Sequence, residues 1–199
     1  MLSKSRWDKV VNVPCVGDCL HVAIPHRRKE KERYTYWDYP SYRYVRDILL
    51  KNVDTLLDRK ADKRIFVGRG QVQWRKVLNE AVLKQFLADY GFAFCQMDDL
   101  TMKEQMTLFY NADIVVAPHG SALSNLLFCR KGSTVIEILP YRYAEASNYT
   151  YAVYSELRYG YIKGKAINCP GVKPCFEDIE VDIERLEKLF SKMGIVGNE

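Results

Sequence analysis

Ala112-Asp113-Ile114-Val115-Val116-Ala117-Pro118-His119-Gly120-Ser121-Ala122-Leu123-Ser124-Asn125 is the stretch that decides the fold. Asp113 to Ala117 is a short apolar run with β-branched residues, which reads as a buried strand. Pro118 to Ala122 turns the chain, and Ser121 to Arg130 reads as a short helix stopped by Lys131-Gly132. A strand running through a glycine turn into a helix is one unit of an alternating α/β fold.

The same rhythm continues on both sides. Upstream, Arg64-Ile65-Phe66-Val67-Gly68 reads as a strand and Trp74 to Tyr90 as a helix closed by Gly91. Its expected apolar stripe is Val77, Leu78, Val82, Phe86 and Leu87. Phe92-Ala93-Phe94-Cys95 is the next strand. Thr101 with Glu104 forms a capping box that opens a helix reaching about Asn111. Downstream, Thr134 to Leu139 is a strand ended by Pro140. Tyr149 to Tyr159 reads as helical, Tyr161-Ile162-Lys163 as a strand, and Asp182 caps a last helix closed by Gly194. Short apolar strands joined by helices imply a parallel sheet covered on both faces, a Rossmann-like doubly wound unit.

The N-terminal part is less regular. Leu20 to Ile24 reads as a short strand, and His26 to Arg33 is a dense charge run expected in a solvated loop. Tyr34 to Tyr44 is aromatic. A helix is expected from Ser41 to about Leu57, with Val45, Ile48, Leu49 and Leu56 inward. The organisation this suggests is a partial N-terminal segment over 1–60 and a Rossmann-like ligand-binding domain over 61–199.

Composition fits that reading. The 199 residues are 48% hydrophobic with 13% aromatic, which allows a sizeable core and excludes disorder. A net charge of +5 is compatible with an anionic ligand and equally with an ordinary soluble surface, and no basic stripe or nucleic-acid motif is present. No window approaches the ~20 apolar residues of a membrane span. Met1 to Lys9 lacks the apolar segment of a signal peptide. The chain is therefore expected to be soluble, cytoplasmic as given or lumenal as a fragment of a longer protein. The six cysteines read as scattered thiols or a local bridge, with Cys95 and Cys129 in the core, rather than as a zinc set. Asn148-Tyr149-Thr150 is a glycosylation sequon that matters only in a secreted chain.

In an open parallel sheet, ligands bind beyond the carboxyl ends of the strands. Three segments fall there: Gly68-Arg69-Gly70, Pro118 to Ala122, and Glu137 near the end of its strand. Gly120 permits close approach of a ligand. The N–H groups of Ser121 and Ala122 open a helix and can receive an anion. His119 can donate to a phosphate or sugar oxygen. Arg69 leaves a strand tip, and Arg75 falls in the expected first helical turn, where the macrodipole disfavours a cation. Two guanidinium groups so placed suit a pyrophosphate. Asn79 lies at i+4 from Arg75, with Glu80 beside it. The dinucleotide glycine fingerprint, the Walker loop and the hydrolase nucleophile elbow are absent. There is no D-x-D pair, and Asp98-Asp99 reads as a turn, so no metal site is expected.

Taken in order, Arg69, Arg75 with Asn79-Glu80, Ala112 to Asn125, and Val135-Ile136-Glu137-Ile138-Leu139-Pro140 resemble glycosyltransferase family 61. The resemblance covers roughly Arg64 to Pro140. That family includes plant xylan xylosyl- and arabinosyltransferases and animal enzymes that add N-acetylglucosamine to protein hydroxyls. The resemblance implies two Rossmann-like lobes of the GT-B type, the C-terminal one holding the nucleotide sugar, and inversion without a metal. It implies that Arg69, Arg75, His119, Gly120 and Ser121 bind the diphosphate, and that Asn125 and Glu137 shape the pocket or meet the nucleoside. Asn79 and Ala122 complete the expected donor set. Only ~60 residues precede the first clear strand, short of the usual ~100-residue domain, so a reduced N-terminal part is expected, as in a fragment of a longer enzyme, a minimal form or a degenerate relative.

The expected activity is transfer of a sugar from a nucleotide sugar, by resemblance a UDP sugar, to a hydroxyl of a glycan or glycoprotein. No cofactor is expected beyond that co-substrate. Asp18 and His21, with Asp38 beside them, are the candidates for the base that accepts the hydroxyl proton. The rival readings are a non-catalytic nucleotide- or carbohydrate-binding module derived from such a lobe, and an interaction domain with a purely structural sheet.

Overall fold

The computed structural model describes residues 15–16, 39–51 and 61–197, with the backbone alone at 15–16. Asp18, His21, Asp38, Leu56, the strand expected at Leu20–Ile24 and the charge run from His26 to Arg33 lie outside the described residues.

The elements follow in the order β1 (Cys15–Val16), α1 (Tyr39–Leu49), β2 (Arg64–Gly68), α2 (Glu80–Asp89), β3 (Ala93–Gln96), α3 (Met102–Asn111), β4 (Ile114–Pro118), β5 (Thr134–Leu139), α4 (Ser147–Tyr154), β6 (Arg158–Lys163) and α5 (Ile183–Met193). Short 3-10 helices occupy Met97–Asp99, Ser121–Phe128 and Pro174–Phe176. The strands form one six-stranded sheet in the order β1-β6-β5-β4-β2-β3, with every pairing parallel. The fold is an α/β Rossmann-like sheet, and β1 of the N-terminal segment adds to it beside β6, Cys15 opposite Tyr159.

Period-two side-chain alternation divides the core between the faces. Ile65, Val67, Val115, Ala117, Val135, Leu139, Tyr159 and Tyr161 point to the face covered by α3, α4 and the helix Ser121–Phe128. Phe66, Val116, Ile136, Ile138 and Ile162 point to the face covered by α2 and α5. α1 packs on α4 through Tyr42, which stacks on Tyr151 and shares a 2.6 Å hydrogen bond with Ser155. Burial there pushes the Tyr42 phenol up to about 12. Ile48, expected to face inward, is exposed, because Tyr42 takes the contact with α4.

The chain leaves β2 for the edge strand β3, then crosses back over β2 to β4. β2 and β4 are therefore adjacent strands whose connections depart to opposite faces, which makes their carboxyl ends the switch point of the sheet. The capping box at Thr101 is formed: Glu104 Oε2 accepts from Thr101 N at 2.7 Å, and Thr101 Oγ1 accepts from Glu104 N at 3.3 Å.

Two expected helices differ from their sequence reading: the one expected over Tyr149 to Tyr159 ends at Tyr154, since Arg158 and Tyr159 already pair in β6 with Thr134 and Val135, and the one expected from Trp74 starts only at Glu80. Residues 74–79 do not wind, because their backbone pairs with the chain beyond β6. Val77 bridges Ile179, Leu78 N donates to Ile179 O at 2.8 Å, and Ile179 N donates to Lys76 O at 2.7 Å. The inward stripe of α2 is therefore Leu83 and Leu87, while Leu78 and Val82 are exposed.

Candidate functional site at the carboxyl ends of β2 and β4

The first residues beyond β2 and β4 meet. Arg69 Nη1 donates to His119 O at 2.7 Å, and Arg75 Nη1 donates to the same oxygen at 3.1 Å. Neither guanidinium has an ion-pair partner among the described residues, and the Nε of each is buried without a hydrogen bond there. Burial, with the Arg75 charge beside it, pulls Arg69 down to about 10. Two cations thus face one carbonyl with no acid to balance them among the described residues.

Arg75 reaches this point from a turn rather than from a helix. Its φ of 60 is left-handed, a conformation that costs a non-glycine residue about 1–2 kcal/mol. Arg75 therefore lies outside any helix macrodipole, and its left-handed backbone is strain of a kind that collects at functional sites. Gly120 supplies the room. A Cβ there would overlap Arg69 Nη1, so a side chain at this position displaces the guanidinium.

His119 is held from behind. It is 6% exposed, and its Nδ1 lies 2.6 Å from Glu137 Oε1. Glu137 has no exposed surface; Asn148 Nδ2 donates to its Oε1 at 2.6 Å and the Tyr159 hydroxyl donates to its Oε2. Nδ1, which also lies 3.3 Å from Asn148 Nδ2, is thus set against Glu137, which fixes the ring and turns Nε2 away from that carboxyl. The edge of Tyr143 packs on the ring at 5.2 Å.

Ser121 and Ala122 open the eight-residue 3-10 helix, and their N–H groups have no acceptor among the described residues. Arg46 ties down its far end, donating to Leu127 O and, at 2.8 Å, to Cys129 O. Trp74 and Phe176 stack at 5.3 Å on the rim and stay partly exposed. Arg142 pairs with the buried Glu177, which pins the loop after β5 to the loop after β6.

The structure brings Arg69, Arg75, His119, Gly120, Ser121 and Ala122 together at this end of the sheet. It separates two of the expected residues from them. The Asn79 side chain is spent on the backbone of Val181, accepting from its N and donating to its O, each at 2.8 Å. Asn125 points to α3, where its Nδ2 donates to Gln105 Oε1 at 3.0 Å. Glu137 belongs to the site but lies beneath His119, where no ligand reaches it. Asn148 was visible in the sequence only as a sequon; it is 3% exposed and its amide nitrogen is bonded to Glu137, so the folded domain does not present it for glycosylation. Its role had one signal, since a glutamate inside an apolar strand demands buried donors. Among the described residues no three His, Cys, Asp or Glu side chains form a metal-binding group. No helix among them is long and apolar enough to cross a membrane.

A parallel, doubly wound sheet, here with paired guanidinium groups at its switch point, defines a Rossmann-like α/β domain. The chain belongs to glycosyltransferase family 61: the profile of Glycosyltransferase 61 matches residues 16–136, more than half of the chain. It is similar to protein O-linked-mannose beta-1,4-N-acetylglucosaminyltransferase 2 of Homo sapiens and of Mus musculus, 35% identical to each over 74 residues. That overlap is 36% of this chain and 13% of each relative, so the chain matches a small part of those longer proteins. Among solved structures it is similar to the TT0316 protein from Thermus thermophilus, at 15% identity and a TM-score of 0.32, covering 74% of this chain and 56% of that one.

Proposed function

We propose that this chain is the donor-binding unit of a glycosyltransferase that moves a sugar from a nucleotide sugar to a hydroxyl of a glycan or glycoprotein. The observation that carries the reading is the pair of guanidinium groups, Arg69 and Arg75, converging on His119 O with no acidic partner among the described residues. A nucleoside diphosphate is the leaving group of such a transfer, and fixed cations stabilise the charge that develops on it, each by about 2–4 kcal/mol. In this role they replace a metal ion: the acceptor hydroxyl attacks the anomeric carbon directly, with inversion, the bond to the nucleoside diphosphate breaks, and a base takes the hydroxyl proton. The donor diphosphate lies over the Gly120 turn, with the Ser121 and Ala122 N–H groups as further donors. UDP is the nucleotide that family membership favours. The unit comprises residues 61–199, and Asp18 and His21 are the candidates for the base.

The test is calorimetric titration of UDP, UDP-xylose and UDP-N-acetylglucosamine in EDTA into the wild type, Arg69→Ala and Arg75→Ala. Binding that survives EDTA and is lost in both variants supports the reading. A wild type that binds no nucleotide overturns it. Binding without donor hydrolysis or transfer makes the chain a non-catalytic module instead.

A further inference from the structure

Glu137 sets a carboxyl group directly beneath the turn where the two guanidinium groups gather. It has no exposed surface, and its oxygens are held by His119 Nδ1, Asn148 Nδ2 and the Tyr159 hydroxyl. A carboxylate close to a bound anion repels it, and the repulsion grows where water is excluded. An acid in this position works against a diphosphate unless something between the two carries the opposite charge.

His119 is the residue between them. Its carbonyl oxygen accepts from Arg69 and Arg75, while its ring rests on Glu137. β4 and β5 pair with Ala117 opposite Glu137, two residues below His119, and His119 N donates to Ile138 O at 2.8 Å. The ring therefore reaches down to the carboxyl with Nδ1, and Nε2, on its other edge, faces the carboxyl end of the sheet. Nε2 has no hydrogen-bond partner among the described residues, although the side chain is buried. Glu137 of β5, Asn148 of α4 and Tyr143 of the loop after β5 face the ring, and Tyr159 of β6 meets it through Glu137. Arg69 and Arg75 are the cations bonded to the residue.

We propose that Glu137 is a positioning residue that makes His119 a third, cationic donor to the diphosphate, with a proton taken up at Nε2 as the ligand binds. The assignment rests on the diphosphate reading of Arg69 and Arg75. Nδ1 and Oε1 stand 2.6 Å apart and have a proton between them. Donors from Asn148 and Tyr159 favour the ionised carboxylate, which leaves that proton on Nδ1. In the neutral ring Nε2 is then an acceptor, which a phosphate oxygen cannot use. Protonation turns the same atom into a donor, and histidine is the side chain that makes this change near neutral pH. Before the ligand arrives, two arginines oppose a third positive charge. A diphosphate in front and a carboxylate behind reverse that balance. The proton comes from solvent and stays on Nε2, and no covalent bond to the ligand forms or breaks. Proton and ligand each strengthen the binding of the other by the same factor.

The experiment is calorimetry of UDP binding to the full chain in buffers of different ionisation enthalpy, which counts the protons taken up. At about pH 7.5 UDP is itself almost fully ionised, so the count belongs to the protein. The wild type is expected to take up about half a proton or more per UDP, and its affinity to fall as pH rises from about 7 to 8.5. His119→Gln is expected to take up none and to bind with an affinity flat in pH. Glu137→Gln is expected to lose most of the uptake and to bind UDP about tenfold more weakly. A merely structural Glu137 would lower stability and leave the proton count unchanged, and that result overturns its assignment. A wild type that binds UDP with no proton uptake and no pH dependence overturns the proposal and leaves the diphosphate site standing. The same holds if His119→Gln takes up as much as the wild type. Failure of the wild type to bind UDP removes both readings together.

Discussion

Replacing Gly120 by alanine isolates the contact on which the site depends. Gly120 has φ 171 and ψ 175, extended backbone that any residue adopts, so the substitution carries no dihedral strain. Its effect is spatial: the new Cβ overlaps Arg69 Nη1. The end of a flexible side chain gives way more cheaply than backbone, so the guanidinium leaves its 2.7 Å bond to His119 O. Arg75 still donates to that carbonyl, and the fold loses about 1 kcal/mol, a fall in Tm of about 2–4 °C. Pyrophosphate loses a positioned cation. A hydrogen bond to a charged group contributes about 1.5–3 kcal/mol, so binding weakens roughly 10- to 150-fold. The assay is a double-mutant cycle read by calorimetry with Gly120→Ala, Arg69→Ala and the pair. If Gly120 acts by making room for Arg69, the alanine costs no further affinity once Arg69 is gone. Additive losses would refute the reasoning, because they would mean that the Gly120 backbone meets the ligand independently of Arg69.

Three other outcomes follow from the geometry. Glu137→Gln keeps the shape but leaves one acceptor oxygen where two are used, so at least one buried donor among His119, Asn148 and Tyr159 loses its partner. That costs about 1–3 kcal/mol, lowers Tm by about 2–12 °C in calorimetry, and shifts the His119 tautomer seen by 15N NMR; an unchanged Tm and tautomer contradict the buried network. Asn79→Ala removes two hydrogen bonds to Val181 and costs about 2 kcal/mol of stability, while pyrophosphate affinity stays within about twofold; a large affinity loss would return Asn79 to the donor site. Arg69 is held below its unfolded value, so its cation costs the fold stability at every pH below about 10, and the cost lifts as pH rises through that value. A bound anion offsets the same cost, so the rise in Tm given by pyrophosphate is expected to shrink as pH passes about 10, and not to do so in Arg69→Ala; equal behaviour of the two proteins rejects Arg69 as the anion's partner.

Much of the sheet was legible because its strands are short apolar runs between strong punctuation. β2 and β5 coincide with the stretches read from sequence, and β3 and β4 are each displaced by one residue. Thr101, Asp182 and Gly194 mark helix ends by side-chain and left-handed capping chemistry that is local and therefore readable. The failures are tertiary. An apolar periodicity at residues 74–79 gave no sign that the backbone there pairs with Ile179, a partner about a hundred residues away. Asn79 looked like a ligand because its position suited one; the long-range bond to Val181 was invisible. In the site, the turn residues could be read, while Asn148 and Tyr159, which hold Glu137 from α4 and β6, could not.

The departures from local physics are not scattered. A left-handed arginine, two guanidinium groups without an acid, and a carboxylate with no exposed surface all lie at the carboxyl ends of β2, β4 and β5. Each costs stability by itself. The carboxylate cost is offset inside the protein, because Glu137 receives its donors from His119, Asn148 and Tyr159. The cationic cost is not offset by any described side chain. A network designed only for folding would have supplied an acid to Arg69 or a glycine at position 75. Their absence leaves a fixed pair of cations braced through His119 by a buried carboxylate, and on the proposed function the donor's diphosphate, with at least two acceptor oxygens, is the anion that completes it.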